Sequence, residues 1–226
     1  LTVRTLIVDD DVATRVGVRT ILGSEPDIEV VGEADSAMEA VALAQEIAPD
    51  VVLMDIRLPD LDGIEATRRI VGAAANESSG PRVIVLTTFD VDEYAYQSMR
   101  AGASGFLLKR TPAEELVDAV RAVANGDTLP LPTRTRDLIR RFTSNTDSTG
   151  TERFHPPLTN REVEVLVLIA RGHSNQEIAD NLFLSLDTVK THVKHIYTKC
   201  GARDRAHAVI AAYESGLVSR QGERPT

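Results

Sequence analysis

One cysteine in 226 residues, Cys200, is too few for an internal disulfide framework or a multi-cysteine metal site, and it fits a reducing compartment. Long apolar runs are missing as well. Stretches such as Leu6 to Val8 and Val83 to Leu86 fall far short of the roughly 20 residues that cross a bilayer, so neither a transmembrane helix nor a secretory leader is expected and the cytoplasm is the default location. Basic charge is also scarce. Lysine and arginine number 25 against 34 aspartates and glutamates, a formal net charge of −9, which taken over the whole chain argues against a nucleic-acid partner. What is present is ordinary for soluble globular protein: apolar residues at 42% and charged residues at 26%, in a length that suits one large domain or two of usual size.

The average charge conceals an asymmetry. Residues 1 to 125 carry 11 basic against 22 acidic side chains, a net of −11, whereas residues 126 to 226 carry 14 against 12, a net of +2, and hold all five histidines. A basic face can therefore exist in the C-terminal part while the acidity belongs to the first.

The first part alternates short β-branched runs with helical stretches. Thr5 to Asp9, Ile28 to Val31, Val51 to Asp55, Arg82 to Thr88 and Gly105 to Lys109 read as five strands. Their continuous apolar character is what a parallel sheet covered on both faces requires, and the intervening segments have room for crossover helices. The expected fold is a doubly wound, flavodoxin-like α/β domain. Its last helix is announced by Thr111 as N-cap, Pro112 in the first turn, Glu114 and Glu115 near the positive dipole end, a stripe of Leu116, Val120 and Val123, and Gly126 as stop. Thr133 to Phe142 reads as one short basic helix. Thr143 to Thr151 has nothing to bury and reads as a polar tether. Beyond Pro156 and Pro157 the periodicity is helical only, giving a small all-α domain. The expected division is 1–126, a linker at 127–157, a second domain at 158–219 and a tail at 220–226.

In open parallel sheets ligands sit outside the carboxyl ends of the strands. Strand one there ends in Asp9, Asp10 and Asp11, strand three in Asp55, strand four in Thr87 and Thr88, and strand five in Lys109. Carboxylates crowded together repel unless a cation is shared, and an oxygen-only set with room for water suits Mg²⁺ better than zinc. Taken singly, these residues have plainer readings. Asp11 reads as the cap of the following helix, Thr88 as a pocket wall, Lys109 as a surface charge and Phe106 as core packing.

Together, Leu-Ile-Val-Asp-Asp at 6–10, Asp-Ile-Arg-Leu-Pro at 55–59 with Asp62-Gly63, Leu-Thr-Thr-Phe at 86–89 and Gly-Ala-Ser-Gly-Phe-Leu-Leu-Lys at 102–109 resemble the receiver domain of two-component response regulators. The resemblance implies that Asp55 takes a phosphoryl group from a sensor histidine kinase. It implies Mg²⁺ held by Asp10, Asp55 and the backbone carbonyl of Arg57, with Asp9 adding charge. Thr87 and Lys109 would meet phosphoryl oxygens, and Phe106 would occupy the switch-aromatic position. Arg110 departs from the family's usual proline or aspartate, and Arg57 and Phe89 stand where the family tunes phosphoryl lifetime.

In the tail, Thr159 to Glu162 and Ser174 to Glu177 each spell a capping box. The second opens a short helix with Ile178, Ala179 and Leu182 inward, and a tight turn at Phe183-Leu184-Ser185 leads to a helix over Asp187 to Lys199. Two helices so joined form a helix-turn-helix, whose second helix enters the major groove of DNA. Val189, Val193 and Ile196 make its apolar stripe, while Lys190, Thr191 and Lys194 project elsewhere. Lys199 near the helix end reads as a dipole partner. Residues 158 to 218 resemble the LuxR-type domain through Leu-Thr-Asn-Arg-Glu at 158–162, Ile-Ala-Arg-Gly-His-Ser-Asn-Gln-Glu-Ile-Ala at 169–179 and Leu-Ser-Leu-Asp-Thr-Val-Lys-Thr-His-Val at 184–193. With the receiver, the chain is similar to the NarL/FixJ class of response regulators. That resemblance implies Lys190, Thr191 and Lys194 facing base edges or phosphates, Ser185 and Thr188 reaching backbone phosphate, and Ala211 to Val218 as a second contact in a homodimer formed on activation. Cys200 reads as buried and inert. The histidines at 173, 192, 195 and 207 lack a carboxylate or cysteine partner at metal spacing.

The expected function is a phosphorylation-controlled transcriptional regulator, not an enzyme, with a sensor kinase and double-stranded two-fold DNA as partners and no membrane. Two rivals stay open at this point. An aspartate-based phosphohydrolase predicts turnover and leaves the helix-turn-helix unexplained; a phosphorylation-independent binding module leaves the pocket unexplained.

Overall fold

The computed structural model describes residues 2–73, 80–88, 92–126, 154 and 157–218, arranged in two compact units that divide between residues 129 and 130. The expected helix at 133–142, the tether at 143–151 and Phe89 lie outside the described residues.

The first unit runs β1 (Val3–Val8), α1 (Val12–Gly23), β2 (Ile28–Ala34), α2 (Ala37–Ile47), β3 (Val51–Asp55), α3 (Gly63–Ala73), β4 (Arg82–Thr87), α4 (Asp92–Ala101), β5 (Gly105–Leu108) and α5 (Ala113–Ala124). All strand pairs are parallel, in the order β2-β1-β3-β4-β5. β3 is buried at every position, as a sheet covered on both faces requires. Ile7, Leu53, Ile84 and Leu86 on one face pack with Val18 and Leu22 of α1 and Leu116, Val120 and Val123 of α5. α2 and α3 meet the sheet and each other on the remaining side, through Ala40, Ala44, Ile64 and Ile70, all fully or nearly fully buried.

The chain turns one way from β1 to β2 and the other from β1 to β3, so a crevice opens between the carboxyl ends of β1 and β3. Pairing of Val8 with Met54 sets Asp9 beside Asp55, and pairing of Thr87 with Leu108 brings Lys109 to the same edge. The cap of α5 is Pro112, not Thr111. The Pro112 carbonyl accepts the first helical bond from Leu116, while the Thr111 amide is spent on Leu108 in the turn after β5.

The second unit is helical among the described residues: α6 (Asn160–Ala170), α7 (Asn175–Leu182), α8 (Leu186–Cys200) and α9 (Arg205–Glu214). Both capping boxes form, Thr159 with Glu162 and Ser174 with Glu177. The core joins Val165, Leu166 and Ile169 of α6 to Ile178 of α7, to Val189 and Ile196 of α8, and to Val209 and Ala212 of α9. α8 begins at Leu186 and ends at Cys200, one residue beyond the expected helix at each end, because Ser185 caps it and Gly201 closes it in the left-handed region.

Lys199 does more than meet a helix dipole. Its Nζ lies 2.7 Å from Oε2 of Glu162, a carboxylate only 3% exposed, and so ties α8 to the start of α6. Burial would raise the Glu162 carboxyl, but its bonds to Lys199 and to Thr159 outweigh that and hold it below the usual range. A depressed folded pKa means the carboxylate stabilises the fold fully above the unfolded pKa, and that contribution is lost as pH falls through the folded value. Glu162→Ala is expected to cost the second unit about 3 kcal/mol, the sum of a cap and a charged hydrogen bond. Thermal unfolding against pH checks this: Glu162→Gln should flatten the acid side of the profile, and an unchanged acid limb would show that Glu162 is energetically silent.

Candidate functional site

Asp9, Asp10 and Asp55 converge at the β1/β3 crevice, each offering one carboxylate oxygen within 4.8 Å of the others. They are the one cluster of three or more ligating side chains among the described residues. Asp9 and Asp55 are buried and Asp10 is exposed. Lys109 reaches in from the end of β5, its Nζ 2.6 Å from Asp9 Oδ2 and 2.8 Å from Asp55 Oδ2. Its backbone amide donates to the Thr87 carbonyl at 2.8 Å, which fixes where the side chain starts. Three carboxylates facing one ammonium leave a surplus of two negative charges, so the set suits a divalent, oxygen-seeking cation.

The protonation balance follows from burial. Desolvation is the largest influence on Asp55 and raises its pKa, with the Asp9 charge adding to it and the Lys109 contact opposing it. Burial would lower Lys109, but its hydrogen bonds to Asp55 and Asp9 prevail and its pKa is raised. Lys109 therefore stays an ammonium. The second oxygen of Asp55 already faces that ammonium, while its first accepts from the Ile56 amide at 2.8 Å.

Further residues support this pocket. Arg15 on α1 donates from Nη1 to the carbonyls of Asp9, at 2.6 Å, and Asp10, at 3.3 Å, and so clamps the loop that aims both side chains. Gly63 opens α3 against the backbone of β3. An added Cβ would lie 1.8 Å from the Asp55 carbonyl oxygen, so no side chain fits there. Asp60 accepts from the amides of Ala37 and Met38 at 2.9 Å, capping α2 in place of Ser36, whose side chain makes no cap bond. The Asp62-Gly63 pair was visible in the sequence; the use of Asp60 and Arg15 depends on contacts across loops and has no local signal.

The remaining pocket residues take these places. Thr87 is buried at the end of β4, Thr88 is exposed beyond it, Phe106 is half-buried on β5, and Arg57 and Arg110 are exposed. Asp11 caps α1, accepting from the Ala13 and Thr14 amides.

On α8, Val189, Val193 and Ile196 are buried, and Lys190, Thr191 and Lys194 are exposed on the other side. No ion pair engages Lys190 or Lys194 among the described residues, so both ammonium groups are available to an anionic partner. Ser185 and Thr188 are exposed at the start of α8, but their hydroxyls bond to each other at 2.7 Å and Ser185 caps the helix. Thr191 bonds back to the Asp187 carbonyl at 2.9 Å. The segment Ala211 to Val218 forms the end of α9 and the turn after it: Ala212, Tyr213 and Ser215 are buried within the unit, and the other residues are partly or fully exposed. Two histidines do meet carboxylates: His207 Nδ1 lies 2.7 Å from Asp204, the cap three residues before it at the start of α9, and His195 Nδ1 lies 4.0 Å from Glu162 across α8 and α6. Cys200 is half-buried rather than buried, and burial with the Glu162 charge pushes its thiol up to about 11, away from the reactive thiolate.

Comparison with known proteins matches this geometry to a family. Residues 5–121 match the response regulator receiver domain, and residues 156–212 match the bacterial regulatory proteins of the luxR family. The uncharacterized transcriptional regulatory protein YxjL of Bacillus subtilis is 41% identical over 216 residues, covering 96% of this chain and 97% of that protein. The transcriptional regulatory protein LiaR of the same organism is 40% identical over 218 residues, covering 96% and 100%. Among solved structures, a two-component response regulator of the LuxR family from Aurantimonas sp. SI85-9A1 is 33% identical with a TM-score of 0.56, covering 64% of this chain and all of that one. The chain belongs to the two-component response regulators, with a receiver domain followed by a LuxR-type DNA-binding domain, and is a DNA-binding transcriptional regulator.

Proposed function

We propose that Asp55 is the phosphoacceptor, that a sensor histidine kinase supplies the phosphoryl group, and that its arrival controls DNA binding by the second domain. The observation that carries the reading is the Lys109 ammonium held between Asp9 and Asp55 at a strand edge where Asp10 adds a third carboxylate. The receiver would span 1–126, the linker 127–157, the DNA-binding domain 158–219 and the tail 220–226.

In this reading an oxygen of the Asp55 carboxylate attacks phosphorus. A P–O bond forms as the P–N bond to the kinase imidazole breaks, and the imidazole leaves with that electron pair. Asp9, Asp10, Asp55 and the Arg57 backbone carbonyl would hold Mg²⁺, which when bound offsets the charge of the phosphoryl oxygens. The Lys109 ammonium is already paired to Asp55 Oδ2 and exchanges that partner for a phosphoryl oxygen. The Thr87 hydroxyl donates to another, and the displacement is passed to Phe106 on β5. The only chemistry is transfer onto the protein itself, and the output is binding, so the protein acts as a regulator and not as an enzyme. It works in the cytoplasm, where its DNA is. On α8, Lys190, Thr191 and Lys194 face base edges or nearby phosphates, and Ser185 and Thr188 face backbone phosphate.

Two-fold DNA calls for a two-fold protein, so phosphorylation is expected to promote dimerisation, with half-sites about one helical turn apart, roughly 10 base pairs. Sedimentation with and without beryllofluoride and Mg²⁺, beside an operator titration, checks this. A monomer-to-dimer shift that accompanies tighter binding supports it; tighter binding by a protein that stays monomeric at every concentration and on DNA removes the dimer.

A further inference from the structure

Among the described residues of the second unit, three of the four helices end on a glycine in the left-handed region: Gly172 after α6 at φ 91°, Gly201 after α8 at φ 63° and Gly216 after α9 at φ 73°. That is the residue such an ending favours, since it has no Cβ to clash. The turn after α7 instead places Phe183 there, at φ 54° and ψ 45°. A bulky side chain in this region is strained. Packing does not repay the strain, because Phe183 is 95% exposed, the most exposed large apolar side chain among the described residues. Neither stability nor solubility accounts for an aromatic ring at this position.

Its location does. Phe183 lies two residues before Ser185, the cap of α8, and so at the end of that helix which enters the groove in a helix-turn-helix. Leu186, in the first turn of α8, is also exposed and continues the apolar surface toward the exposed Thr188, Lys190 and Thr191. The surface is continuous with the DNA-facing side of α8 and lies beside cations that draw the phosphate backbone close. In this motif the helix before the turn crosses the DNA backbone, so the turn after it lies at the groove edge, where the sugar rings are the apolar surface a side chain can meet.

Resting on the DNA-binding reading of α8, we infer that Phe183 is a DNA-contacting residue whose ring packs against deoxyribose at the groove edge. The contact carries no charge and reads no base, so it anchors the domain on any sequence alike and contributes nothing to salt dependence.

Phe183→Gly makes this testable, because fold and binding should move in opposite directions. Relief of strain predicts a higher Tm. Loss of the ring predicts DNA affinity weaker by about tenfold, the range expected for uncovering part of a phenylalanine, by the same factor on operator and on unrelated duplex, and with an unchanged slope of affinity against salt. Phe183→Tyr should retain most of the affinity. Titrations of the full chain with both duplexes at several salt concentrations, with thermal unfolding alongside, read all of these. Unchanged DNA affinity in Phe183→Gly, or a lower Tm, overturns the inference. Lys190→Ala and Lys194→Ala measured in parallel separate the two levels: if they weaken binding and Phe183→Gly does not, the inference fails alone; if none of the three does, the reading of α8 fails with it.

Discussion

Asp55→Asn is expected to reduce Mg²⁺-dependent labelling by acetyl phosphate to background. Asp55 sits at the end of β3, buried, with Lys109 against one oxygen and the Ile56 amide against the other. Asp9 is the alternative nucleophile in the same pocket. It is held by the same kinds of partner, one oxygen accepting from the Asp11 amide at 3.0 Å and the other against Lys109 at 2.6 Å, so the assignment rests on Asp55 standing at the end of β3, opposite both Asp9 and Lys109. Asparagine keeps the volume and the Ile56 bond while removing the nucleophile. The substitution should also raise Tm at neutral pH. Burial raises the folded pKa of Asp55, so the folded state binds its proton more tightly than the unfolded chain, and stability falls as pH rises from the unfolded carboxylate value through the folded one. An uncharged side chain escapes that loss. Labelling with intact stoichiometry in Asp55→Asn would move the acceptor elsewhere.

Lys190→Ala and Lys194→Ala should each weaken DNA binding without unfolding the domain. Both are exposed on the face of α8 opposite the buried Val189, Val193 and Ile196 stripe. Removing either leaves the core untouched. A lost phosphate contact is expected to flatten the slope of log affinity against log salt by about one unit, whereas a lost base contact would cost about 1–3 kcal/mol of discrimination and relax one position of the site. Electrophoretic or fluorescence titrations on operator and unrelated duplex at several salt concentrations distinguish the two. Unchanged affinity in both variants would place the DNA on another face.

How far the sequence carried depended on whether a feature is local. The five strands were legible because parallel strands buried on both faces are continuous apolar runs, and β3 shows this most plainly with no exposed position. The carboxyl-edge residues were legible because strand ends are, so Asp9, Asp10, Asp55 and Lys109 could be named before their distances were known. Both capping boxes were legible for the same reason: the partners are three residues apart. What was not legible is what folding adds. Glu162 reads as half of a capping box, but its bond to Lys199, 37 residues on, requires α6 and α8 to cross. Asp60 caps a helix that begins 23 residues earlier in the chain. That Ala212 and Tyr213 of α9 pack into the core of their own unit is likewise a product of the fold. Phe183 appeared as one residue of a tight turn; that its ring is almost wholly exposed in a left-handed conformation needed coordinates.

The central claim is that chemistry at Asp55 sets DNA affinity in a domain that shares none of its residues. It is tested most directly by titrating operator DNA with the full chain and with Asp55→Asn, each with and without a phosphodonor and Mg²⁺. Tighter binding by the phosphorylated full chain, and no response to the phosphodonor from Asp55→Asn, is the predicted result. Equal affinity of the full chain with and without the phosphodonor, or the same gain in Asp55→Asn, would contradict it.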